Sequence, residues 1–116
     1  MSNPFSIVVP CFEKKEILEN FIKLIITKLD NIENCEIIFI DDGNHFEFEN
    51  ILNLKDNRVK LFKNNENKGY GYSIKKGVSA AKNEIIGIID CDNSYIIDDL
   101  IYNLKNFSKK KINVLV

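Results

Sequence analysis

The run IIGIIDCDNSY, residues 85–95, decides how this 116-residue chain is read. Its apolar opening predicts a buried strand over residues 85–89, which delivers two carboxylates, Asp90 and Asp92, to its carboxyl end. Residues two apart in an extended segment point to the same side, so the pair forms a two-pronged acidic site at the mouth of a sheet. Two like charges held that close are costly unless a cation or hydrogen-bond donors lie between them. The pair therefore calls for a partner, and a hard divalent cation, Mg2+ or Mn2+, suits it.

Outward from that strand the chain alternates. Residues 6–9 read as a short β-branched strand ended by Pro10, and residues 13–29 carry Ile17, Leu18, Phe21, Ile22, Ile25 and Leu29 at helical spacing. Residues 36–40 predict a second strand, followed by the turn Asp41-Asp42-Gly43-Asn44, and residues 46–54 a weak helix. Residues 59–62 predict a third strand and residues 72–82 a helix with Ile74, Val78 and Ala81 on its inner face. Residues 98–107 predict a last helix, with acids in its first turn and lysines beyond its end, and residues 112–116 a fifth strand. Alternating strands and helices imply an α/β, Rossmann-like, three-layer α/β/α arrangement, a mostly parallel sheet of about five strands in one domain spanning residues 1–116. An apolar last strand leaves an open edge, which invites a second copy or a partner chain at the C-terminal side.

Composition narrows the function. With 45% hydrophobic and 28% charged residues and a net charge of −1, the chain has the balance of a soluble globular protein, and acids cancel bases too closely for a nucleic-acid binder. Cys11, Cys35 and Cys91 are odd in number and lack zinc spacing, so they read as buried thiols of a reducing compartment. No leader or membrane-length apolar run is visible, and a cytoplasmic location is the expectation.

In a parallel sheet ligands bind outside the carboxyl ends of the strands. Pro10-Cys11-Phe12, Asp41-Asp42 and Asp90-Cys91-Asp92 therefore come to one rim. Asp92 suits the cation, Asp90 a sugar hydroxyl and Asp42 a base N–H, in a ligand that carries a metal-bound diphosphate. A single strand-end aspartate more often caps a turn, but three on one rim favour a site. Gly69-Tyr70-Gly71 lacks the spacing of a dinucleotide turn, since Gly77 comes too late, and reads as a tight entry to a helix. His45 lies in a polar turn, and no base stands beside Cys11 or Cys91 to make either a nucleophile.

Four ordered blocks, residues 6–16 (SIVVPCFEKKE), 36–44 (EIIFIDDGN), 67–82 (NKGYGYSIKKGVSAAK) and 84–100 (EIIGIIDCDNSYIIDDL), resemble the N-terminal half of family 2 glycosyltransferases. The likeness is greatest to the dolichyl-phosphate and polyprenyl-phosphate mannose and glucose synthases. The resemblance implies half of a glycosyltransferase A fold, a nucleoside-diphosphate sugar with Mg2+ or Mn2+, and inverting transfer to a polyprenyl-phosphate or saccharide acceptor. By motif it assigns nucleotide-sugar binding to Pro10, Cys11, Phe12, Asp42, Asp90, Cys91, Asp92 and Ser94, and the metal to Asp90 and Asp92. It implies a hexosyltransferase at work in the cytoplasm or on the inner face of a membrane.

The chain also departs from the family. Phe12-Glu13-Lys14 stands where Tyr-Asn-Glu is usual, Asn44 replaces the Ser of DDGS, and His45-Phe46 replaces a common Thr-Asp pair. Family catalytic domains continue for about another domain half, which carries the acceptor loops and often the catalytic base, so no base is identified in this chain. A second reading is thus a non-catalytic nucleotide-sugar-binding or assembly module. A third, a sugar nucleotidyltransferase, is disfavoured because residues 10–16 contain no glycine for a phosphate loop.

Overall fold

The computed structural model describes residues 3–107. Strand β1 (Phe5–Cys11) leads into helix α1 (Lys15–Leu29), then β2 (Cys35–Asp42), β3 (Val59–Asn64), α2 (Tyr70–Ala80), β4 (Ile86–Ile88) and α3 (Ile97–Lys105). The four strands are all parallel, in the order β3-β2-β1-β4. The expected fifth strand, residues 112–116, lies outside the described residues, so the sheet described has four strands rather than about five.

The period of two in the strands sorts the core onto two faces. Phe5, Ile7, Val9, Ile37 and Phe39 meet Leu18, Phe21, Ile25 and Leu29 of α1 and Ile97, Leu100 and Leu104 of α3. Val8, Ile38 and Ile40 point the other way, where Ala80 and Ala81 from the end of α2 pack on them. This is the three-layer arrangement expected from the alternation. Helix α1 stops where Asn31 takes a left-handed φ of 66°, and α3 carries Asp98 and Asp99 in its first turn and Lys105 in its last, matching the helix dipole.

Three local expectations are corrected. Strand β1 does not stop at Pro10 but continues through it, in register with Ile40 of β2. Ser6 donates to Ile85 on the β4 side, so the nitrogen two pleats on, that of Pro10, faces the same side, beyond the last β1–β4 pair at Val8 and Ile88. A missing N–H costs nothing there. The weak helix of residues 46–54 is a single 3-10 turn, Phe48–Asn50, anchored by Phe48 against Phe39 at 6.1 Å and Phe46 at 5.9 Å between ring centres. Helix α2 faces the sheet with Ser73 and Gly77, while Val78 is 40% exposed. At Gly77 a Cβ would collide with the side chain of Val8, so the smallest residue marks the closest approach, which apolar periodicity does not reveal.

Candidate functional site

The chain leaves β1 toward β2 and β3 and returns on the other side of β1 as β4, so the strand order reverses beside the end of β1. A crevice opens at such a point. Here it is an open cavity of about 410 Å³, with Pro10, Cys11, Phe12 and Glu13 from the end of β1, Asp42 from β2, Asn67, Gly69 and Tyr70 from the entry to α2, and Asp90, Cys91 and Asp92 after β4. Seven of the eight residues expected at the site thus line one cavity, and Ser94 stands apart on the 3-10 turn Ser94–Ile96.

The acidic pair is built differently from its expected form. Strand β4 ends at Ile88, and the Asn93 N–H donates to the Asp90 carbonyl at 3.0 Å, closing a turn over residues 90–93. Asp90 and Asp92 therefore meet across a turn, not along a strand. Asp92 is exposed, whereas Asp90 Oδ1 is buried and has no hydrogen-bond partner among the described residues. A buried carboxylate oxygen left unpaired is costly, and costs of that kind concentrate where a ligand completes the set. Among the described residues no three His, Cys, Asp or Glu side chains converge as a metal cluster. Two carboxylate arms with an orphaned oxygen fit a cation that takes its remaining ligands from water and a diphosphate, as Mg2+ and Mn2+ do.

Two side chains missed by sequence reasoning hold the rim together. Asn44 accepts from the Glu13 N–H at 3.1 Å and donates through Nδ2 to the Cys11 carbonyl at 2.8 Å and to Asp41 Oδ1 at 2.6 Å, tying the exits of β1 and β2. Tyr70, the first residue of α2, sets its phenol beside Asp90. Burial first, then the hydrogen bond and charge of Asp90, raise its pKa. Gly69 caps α2 at a φ of 98°, which suits the tight entry expected there.

Both thiols of the cavity stay protonated. Burial, then the neighbouring Cys91 and Asp41, push Cys11 well up, and burial, then Glu13, Asp92 and Asp90, push Cys91 up to about 12. Neither is a nucleophile at neutral pH, and all three cysteines are free and buried. Glu13, Asp42, Asp90 and Asp92 line the cavity, and among the described residues no lysine or arginine does. That imbalance favours a ligand that arrives with a cation.

The sequence profile of Glycosyl transferase family 2 matches residues 6–116. Among curated proteins, glycosyltransferase GlyG of Streptococcus pneumoniae serotype 4 is 36% identical over 97 residues, which is 80% of this chain and 31% of that protein. EpsH of Bacillus subtilis is 35% identical over 80 residues, 65% of this chain and 23% of its own length. The chain thus spans less than a third of either relative. Among solved structures, the mannosyltransferase PcManGT of Pyrobaculum calidifontis, in complex with GDP-Man and Mn2+, superposes with a TM-score of 0.65 at 18% identity, over 76% of this chain and 27% of that one. TarS 1–349 of S. aureus, in complex with UDP, superposes with a TM-score of 0.68 at 18% identity, over 90% and 32%. The parallel α/β fold is shared with both of these proteins.

Proposed function

We propose that this chain, which belongs to Glycosyl transferase family 2, is the donor-binding part of an inverting hexosyltransferase. It takes a nucleoside-diphosphate sugar with Mg2+ or Mn2+ and presents it for transfer to a polyprenyl-phosphate or saccharide acceptor. The observation that carries the reading is Asp90, which lines the cavity with Glu13, Asp42 and Asp92 and whose buried Oδ1 has no hydrogen-bond partner among the described residues. The PcManGT and TarS complexes support it, since both hold nucleotides on the same fold.

In this reading the exposed ring of Phe12 lies against the base, with the backbone of Pro10 and Cys11 beneath it. Asp92 holds the metal, and Asp90 shares that task or accepts from a ribose hydroxyl. Cys91 shapes the turn between them, and Ser94 meets the phosphates from the turn that follows. The metal, when bound, neutralises charge that builds on the departing diphosphate. A general base for the acceptor belongs to the rest of the reaction machinery. Among the described residues no helix is long and apolar enough to cross a membrane.

Calorimetric titration with UDP-, GDP- and dTDP-sugars, with and without Mn2+, tests the reading. At least one should bind, more tightly with Mn2+, and Asp92→Ala should remove the Mn2+ effect. Folded protein that binds none of them would overturn it. The second reading, a nucleotide-sugar-binding module without transfer, rests on the altered Phe12-Glu13-Lys14 segment. Sugar transfer by the chain, lost in Asp92→Ala, would exclude that alternative.

A further inference from the structure

Phe12 also walls a second cavity, of about 370 Å³. Its other walls are Glu13, Lys14 and Lys15 at the entry to α1, and Asn44, His45 and Phe46 after β2. Six of these seven residues, all but Lys15, are the positions at which the chain departs from its family. Together the changes take two usual carboxylates, a Glu and an Asp, out of this wall and put an ammonium and a phenyl ring in their places. Drift at unrelated surface positions has no reason to gather in one cavity, whereas a ligand there would gather it.

The walls are held in place. Asn44 accepts from the Glu13 N–H at 3.1 Å and donates to the Cys11 carbonyl at 2.8 Å, which fixes one segment against the other, and Phe46 stacks on the buried Phe48 at 5.9 Å. Lys14, Lys15 and His45 are exposed and join no ion pair among the described residues, whereas Lys28, Arg58, Lys60, Lys63 and Lys68 do. The one acid on the wall, Glu13, turns an oxygen to the Lys14 N–H at 3.1 Å. Aromatic walls with a few polar groups are the make-up of a small-molecule site, and the volume falls in the usual range of about 300–1,000 Å³. Two ammonium groups and a ring N–H supply donors for a phosphate, and the surplus of positive charge selects an anion. We propose that this cavity binds a small anion carried on a flat apolar body, an aryl phosphate in chemical class, with its ring against Phe12 and Phe46 and its phosphate on Lys14, Lys15 and His45. The site is separate from the nucleotide cavity, whose wall is acidic, and it does not rest on the nucleotide-sugar reading.

His45 is the only histidine of the chain, so the C2–H of its ring gives a single proton resonance inside the proposed site. The chain is titrated with phenyl phosphate at pH 7 in EDTA, which leaves the acidic cavity without a cation to draw an anion. The His45 signal should shift and saturate, with half-saturation at about 1–5 mM, the scale for a ligand of about eleven heavy atoms. Inorganic phosphate should bind at least about tenfold more weakly, since it has no ring to bury. Lys14→Glu, at an exposed position, should weaken phenyl phosphate about tenfold or more, the equivalent of one lost charge-assisted hydrogen bond. Phe46→Leu should weaken phenyl phosphate and leave inorganic phosphate as it was. A shift that stays linear well past the expected range, or one unchanged in Lys14→Glu, overturns the proposal. So does inorganic phosphate binding as tightly as phenyl phosphate, which would mark an adventitious ion only, and so does equal binding of phenyl phosphate by folded Phe46→Leu and the parent. If Phe46→Leu does not fold, Lys14→Glu and the inorganic phosphate arm decide by themselves.

Discussion

Replacing Glu36 by glutamine should cost about 2 kcal/mol at pH 7, and the cost should vanish in acid. Glu36 is fully buried in β2 at the end of the sheet opposite the cavity. Its carboxylate accepts from Ser6 Oγ at 2.6 Å, Lys60 Nζ at 2.6 Å and the Lys82 N–H at 2.7 Å, which ties β1, β3 and the end of α2 to β2. An amide oxygen in the place of Oε2 keeps the Ser6 and Lys82 bonds. The amide NH2 then faces Lys60, and the charge-assisted bond, with a net value of about 1.5–3 kcal/mol, is lost. Lys60 is 37% exposed, so it can turn to water, which places the loss in the middle of that range and not above it. Glu36→Leu strands Ser6 and Lys82 as well and should cost more, about 3–5 kcal/mol.

The pH dependence follows from the same contacts. Burial acts to raise the Glu36 carboxyl, but the Lys60, Ser6 and Lys82 donors outweigh it, and the folded pKa lies below the ordinary value. A depressed folded pKa gives stability that is fully present above the unfolded carboxyl value of about 4.3 and is lost as pH falls through the folded value. Below that the parent carries a neutral carboxyl, much like the amide, so the gap between parent and Glu36→Gln should close. Urea unfolding of both proteins at a series of pH values measures it. A gap under about 0.5 kcal/mol at pH 7, or one that stays constant into acid, would refute the argument.

Other outcomes follow from single contacts. Gly77→Ala should destabilise by about 1–3 kcal/mol, because its Cβ meets Val8 in a packed layer, whereas an open helix position would gain; thermal melting decides the sign. Asn44→Ala removes the three side-chain bonds that tie Glu13, Cys11 and Asp41, and should cost about 1–3 kcal/mol by urea unfolding, with any bound nucleotide weakened in parallel. Cys91, with its thiol pushed up to about 12 and buried, should resist alkylation at pH 8 in folded protein and react rapidly in urea. Fast labelling under native conditions would show the turn of residues 90–93 to be open.

Much of the candidate site was legible in the sequence because strand ends in a parallel sheet share a rim. Pro10, Cys11, Phe12, Asp42, Asp90, Cys91 and Asp92 could be gathered on that ground, and they do line one cavity. Ser94 was added to them by the resemblance alone, and it stands on the 3-10 turn Ser94–Ile96 outside the residues that line the cavity. Asn44 was read only as a turn residue and a departure from DDGS, because nothing local tells that its amide will reach across to β1.

Two kinds of information separate here. Local chemistry along the chain was enough for the alternation of strands and helices, the apolar faces of α1 and α3, and the delivery of aspartates to the strand ends, since these depend on side-chain period and on which residues resist burial. Tertiary contacts supplied the rest. The collision that reserves position 77 for glycine, the hydrogen bonds from Asn64, Lys68 and Gly69 to Asp42 and the missing partner of Asp90 Oδ1 all turn on atoms brought from distant segments, and a hydrogen-bond account closes only when every neighbour is in place.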